Sequence, residues 1–119
     1  MANPNIVAVA TIEGKTDSGE LGTTYTTALV TNAGSSGKIY KINSITCANK
    51  AGTDTTTRFS FYDGSTDRFI AYNINIPANT VAFITDKNST FYLEEGDSVR
   101  GGAATASRLD YVISYEMIS

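Results

Sequence analysis

Few residues in this chain of 119 carry side chains suited to making or breaking bonds. There is no histidine, no tryptophan and a single thiol, Cys47. A cysteine nucleophile needs a base to form its thiolate. With no imidazole to serve, Cys47 is expected to be a small buried apolar residue. Carboxylates gather in two turns, Asp63 and Asp67 in DGSTD and Glu94, Glu95 and Asp97 in EEGD. Paired carboxylates can hydrolyse glycosides, and loop carboxylates can ligate calcium. Neither segment has the spacing of a calcium loop. Turn chemistry accounts for both, since Asp caps its own backbone and Gly adopts positive φ. The expectation is therefore no enzyme, with no catalytic residue, no cofactor-binding residue and no metal ligand.

The remaining candidates are weaker. Gly101 and Gly102 could cradle a phosphate, but no helix follows them to supply a cluster of aimed amides. A bend before the last strand is expected instead. Asn88-Ser89-Thr90 matches a glycosylation sequon, but no secretory segment is expected at the N-terminus, so the match carries no weight. Of the tyrosines, Tyr25, Tyr40, Tyr62, Tyr72, Tyr92, Tyr111 and Tyr115, most are expected to pack with the hydroxyl at the rim. One or two, Tyr62 foremost, are expected at an interface or stacked on a sugar.

These side chains must be positioned by strands. The chain holds 17 Thr, 11 Ile and 6 Val against 4 Leu, a β-branched bias that suits pleated, half-buried surfaces. No window of helical length has apolar residues at i, i+3, i+4 and i+7. The net charge is −3, with 9 scattered Lys and Arg, so there is no basic stripe for nucleic acid. No apolar run approaches the ~18 residues of a membrane span. One cysteine cannot form an internal disulfide.

Along the chain, residues 6–12 read as an apolar strand expected to be covered on both sides, and 13–22 as a loop. Residues 23–32 read as a Thr-rich strand and 38–48 as a long one. In the long strand Tyr40 and Ile42 share one face while Ile45 and Cys47 take the other, so a β-bulge near Asn43–Ser44 is expected to restore the inward face. Residues 55–64 place Thr57, Phe59 and Phe61 inward. Residues 68–76 place Ile70, Tyr72, Ile74 and Ile76 on one face and end at Pro77. Short strands follow at 80–85, 90–93 and 98–102, and a last one points Leu109, Tyr111, Ile113, Tyr115 and Met117 at the core. The result is an all-β, single-domain antiparallel β-sandwich, jelly-roll-like, with eight or nine short strands over 1–119. Residues 1–22 are expected to form an N-terminal strand or arm and loop, and 23–119 the sandwich body.

The stretch from Ser36 to Ser119 resembles a β-sandwich of tailed-phage virion proteins. The likeness rests on KIYKINSI (38–45), the turn NKAGT (49–53), the aromatic strand RFSFY (58–62), IPANT (76–80), LEEGDS (93–98) and the closing DYVISYEMIS (110–119). The opening ANPNIVAVATIEGKT is similar to small virion proteins of contractile-tailed phages of marine cyanobacteria. These motifs are turn and core signatures, so no functional residue carries over. The resemblance implies a capsid decoration, head-exterior or neck protein, located in the virion and assembled in the bacterial host cytoplasm. Its implied partners are the major capsid protein or other virion proteins. Edge strands, with 23–31 the foremost candidate, point to a homo-oligomer. The resemblance makes a trimer the first expectation. The alternative is a carbohydrate- or host-receptor-binding sandwich on a tail or fibre, which two exposed aromatics beside Asn and Asp on one sheet face would favour.

Overall fold

The longest strand shows how local sequence sets the architecture. In KINSIT, isoleucines stand three apart, which strict alternation would place on opposite faces. In the computed structural model, which describes residues 11–86 and 88–119, this segment is β3 (Ile39–Asn49). Its register with the C-terminal strand shifts between Ile42 and Ser44. The extra residue turns the phase, so Ile42, Ile45 and Cys47 are all fully buried. The expected bulge therefore falls where the apolar phase changes.

The other described strands are β1 (Ile12–Glu20), β2 (Ala28–Thr31), β4 (Thr55–Tyr62), β5 (Asp67–Ile76), β6 (Val81–Thr85), β7 (Phe91–Leu93), β8 (Ser98–Ala103) and β9 (Leu109–Ile118). They form two antiparallel sheets. One runs β1-β9-β3-β6 with β7 also on β3, and the other runs β2-β8-β4-β5. With β7 set aside, the order 1-9-3-6 against 2-8-4-5 is a jelly roll. Between the sheets lie Ile42, Ile45, Cys47, Phe59, Ile76, Leu93, Val99, Leu109 and Ile113, with Tyr115 at the margin. The single-domain antiparallel sandwich expected from the alternation is the fold.

Four local expectations are corrected. Residues 13–22, read as a loop, are mostly strand β1, paired along its length from Ile12 opposite Ile118 to Glu20 opposite Asp110. Only Asp17 along β1 is even partly buried, so the strand has no apolar alternation to betray it. Main-chain pairing holds it, together with the Tyr115 hydroxyl donating to Asp17 at 3.0 Å. The Thr-rich segment is strand only over β2. Thr24–Thr27 instead close a turn, in which the Thr27 amide and hydroxyl both donate to the Thr24 carbonyl. β2 does lie at a sheet edge, as expected. Gly101 and Gly102 are not a bend but lie inside β8. Tyr72, expected to share a buried face with Ile70, Ile74 and Ile76, is exposed. The register of β4 with β5 shifts between Thr57 and Phe59, and Asn73 takes a positive φ of 51°. This bulge turns Tyr72 outward. The expected strand over 6–12 lies outside the described residues except at its end.

Candidate functional site

Folding brings the two acidic turns together at one end of the sandwich, where Gly64 faces the Gly96 carbonyl. The carboxylates there are occupied by structural bonds. Asp63 accepts from the amides of Thr66 at 2.8 Å and Ser65 at 3.0 Å, and those bonds lower its pKa. Asp97 accepts from the Glu94 amide at 2.9 Å, while burial, the stronger influence, pushes its carboxyl up. Asp67 pairs with Arg100 at 3.1 Å and accepts from Ser60. Glu95 accepts from the Gly37 amide at 2.7 Å. Among the described residues no three His, Cys, Asp or Glu side chains converge as a metal site requires.

Cys47 sits in the core on β3. Burial, with a lesser push from Asp110, raises its thiol from an ordinary 9.0 to about 12. The sign of the resulting pH dependence follows. Above pH 9.0 the unfolded chain releases this proton while the folded chain holds it, up to about 12. The unfolded state then binds fewer protons, so stability falls as pH rises, by at most about 1.4 kcal/mol per pH unit for one group. Burial raises Tyr111 and Tyr115 as well, which steepens the loss above pH 10.0. Urea melts between pH 8 and 10.5 should show this decline, and Cys47→Ala should flatten its first part. Equal slopes in the two proteins would contradict it. Folded protein at pH 8 should also resist iodoacetamide, since a buried thiol with so high a pKa offers no thiolate.

The surface carries more information than the turns. Tyr62, expected foremost at an interface, is only half-exposed, with the Arg100 guanidinium 3.4 Å from its ring centre. Tyr40 and Tyr115 stack at 5.4 Å, and the ring of Tyr111 lies against Gly19 of β1. The exposed aromatics are others. On the outer face of the four-stranded sheet, Phe69 is 51% and Tyr72 54% exposed, and their rings meet edge to face at 4.7 Å. The Arg58 guanidinium stacks on Tyr72 at 4.4 Å and on Tyr25 at 4.3 Å, and its Nε donates to Asn73 at 2.7 Å.

The five-stranded sheet has its own apolar strip. Register places Phe83 of β6, Thr46 of β3 and Val112 of β9 in one outward row, and Val81, Ala48 and Asp110 in another. Phe83 is 69% and Val81 52% exposed. The strip runs to β6, an edge of the sheet, and borders a shallow depression lined by Ala48, Asn49, Lys50, Asn79, Thr80 and Val81. The alternation of TVAFIT showed this strand, but nothing in it marked Phe83 as outward and uncovered.

No protein-family model matches the chain, and no curated protein matches it.

Proposed function

We propose that this chain is a non-enzymatic structural component of a tailed-phage virion, a capsid decoration or head-exterior protein that binds coat subunits. The observation that carries this reading is the apolar strip of Phe83, Val81 and Val112 beside the β6 edge, which no described strand pairs. A solvent-facing phenylalanine on an edge strand is where another chain gains most, because it buries apolar area and satisfies free backbone groups together. β6 has no lysine and no proline within VAFIT, and its edge protection is confined to its short length and one register shift against β3 between Ile45 and Thr46. The motifs shared with phage sandwiches supply the kind of particle. A homo-oligomer, with a trimer the first expectation, uses the same logic at β2. A neck position would engage the same strip.

The test uses particles purified without this protein and the chain added back. Wild type should co-sediment at a fixed copy number. Phe83→Asp should bind at least about tenfold more weakly, as loss of an interface hot spot does. Its melting temperature should fall by only a few degrees, because the side chain is mostly exposed and the loss is one of strand propensity. Wild-type binding by Phe83→Asp, or a particle map with the strip facing solvent, would remove this reading. Light scattering at micromolar concentration reports the oligomer separately.

A further inference from the structure

We propose that the outer face of the four-stranded sheet is a glycan-binding platform that stacks a hexopyranose on one ring of the Phe69–Tyr72 pair while the other ring borders it. This inference is independent of the virion reading, since it uses the opposite sheet.

Three observations carry it. First, the two rings are exposed by a specific backbone device. Strict alternation along β5 would place Tyr72 on one face with Ile74 and Ile76, but the register shift between Thr57 and Phe59, where the left-handed residue Asn73 lies, turns it to solvent. A non-glycine residue at positive φ is unusual, and bulges of this kind re-aim side chains beside functional surfaces. Second, the rings are held before any ligand arrives. Phe69 meets Tyr72 edge to face, and the Arg58 guanidinium lies against the rings of both Tyr72 and Tyr25. A preorganised aromatic loses little entropy on binding. Third, the polar groups at the rim suit hydroxyls. The Arg58–Asn73 bond uses Nε and the Asn73 carbonyl oxygen. That leaves the Arg58 terminal NH2 groups and the Asn73 amide NH2 without an acceptor among the described residues.

An aromatic surface flanked by neutral amide and guanidinium donors complements a sugar, whose C–H face is apolar and whose edge is ringed with acceptor oxygens. Nucleic acid is the poorer occupant. The chain is net negative at −3, and Arg100, the other arginine on this face, is already paired with Asp67. A proline-rich peptide would need a groove between aromatics, and here the rings stand on an open face.

The experiment is saturation-transfer NMR on the intact protein with cellohexaose, maltohexaose and chitohexaose, each at millimolar concentration. At least one should receive saturation at its ring C–H protons. Phe69→Ala with Tyr72→Ala should weaken that binding at least about tenfold. Tyr72→Phe, which keeps the ring, should bind within about threefold of wild type. Circular dichroism establishes that each variant folds, and the single variant Phe69→Ala replaces the double one if that fails. Absence of transfer to all three sugars, or binding unaffected by loss of the rings, overturns the proposal. So does binding of a thymidine decamer or a proline decamer at these rings in place of the sugars.

Discussion

Replacing Asn32 with alanine is expected to cost about 3 kcal/mol of folding free energy, a large share of the roughly 5–15 kcal/mol that holds a domain of this size. Asn32 is fully buried just beyond β2. Its Nδ2 donates to the carbonyls of Lys38 at 2.8 Å and Leu93 at 2.9 Å, and its Oδ1 accepts from the Ser36 hydroxyl at 2.5 Å. Its backbone binds the other way, its amide to the Asp97 carbonyl and its carbonyl to the Gly96 amide. The side chain thus ties the turn before β3 to the end of β7, and the backbone of the same residue ties both to the acidic turn before β8. Alanine removes a donor from the buried bond to the Leu93 carbonyl and another from the part-buried bond to the Lys38 carbonyl, and an orphaned buried group costs about 1–3 kcal/mol. Asn32→Asp should be worse at neutral pH, because a carboxylate would face two carbonyl oxygens. That extra penalty should shrink as pH falls and the carboxyl gains a proton to donate. Urea denaturation at pH 7 and pH 4 separates the two effects. A loss under about 1 kcal/mol for Asn32→Ala would mean that water replaces the side chain.

Asn49 repeats the device at the other end of β3, donating to the carbonyls of Thr53 and Ile76 and accepting from the Ala51 amide. The two asparagines stand as internal plugs at opposite ends of one strand. Neither role was visible in the sequence, where Asn32 reads as the last residue of the Thr-rich strand 23–32 and Asn49 as turn composition. A turn-forming asparagine and one buried beneath a turn have the same neighbours in the chain. Only the carbonyls of distant residues, such as Leu93 and Ile76, distinguish them.

What was legible follows the same rule. The inward face of β9 and the bulge in β3 were readable because a buried face writes its period into the residues that form it. β1 was not, because a strand that buries almost nothing leaves no period. Tyr72 misled because alternation assumes an unbroken pleat. The available signal was Asn73 itself, since asparagine is among the few residues that tolerate left-handed backbone. The acidic turns were read correctly as turns, and Asp63 caps its own loop as expected. Of the outward aromatics on which both surface readings rest, Phe69 falls opposite the isoleucine face by alternation, whereas Tyr72 is hidden by the bulge and Phe83 by a short strand with apolar residues on both faces.

Gly102→Ala is the second large effect, expected to destabilise by about 3 kcal/mol although it adds one methyl group. A Cβ on Gly102 would stand 2.8 Å from the Thr24 carbonyl oxygen, 3.0 Å from its carbon and 3.1 Å from the Gly22 carbonyl oxygen. All three are backbone atoms, so no side-chain rotation relieves the contact. The segment 22–24 would have to lift, breaking the bond from the Ala103 amide to the Gly22 carbonyl. Gly101 provides the control. There the new methyl would meet the ring of the fully buried Phe59 at 3.0 Å and the end of the half-buried Leu29 side chain at 3.1 Å, of which Leu29 is the freer to shift. Gly101→Ala should therefore cost less than Gly102→Ala, because no backbone has to move. The adjacent glycines thus serve different ends, one admitting an aromatic ring beneath the sheet and the other admitting a chain across its top. The lifted chain also carries Tyr25 off Arg58. Gly102→Ala should accordingly loosen the aromatic platform as well as the fold, and Gly101→Ala should leave the platform in place. Comparing the two variants in urea melts and in sugar titration tests both consequences. Equal stability in the two would show that the 22–24 segment yields without cost.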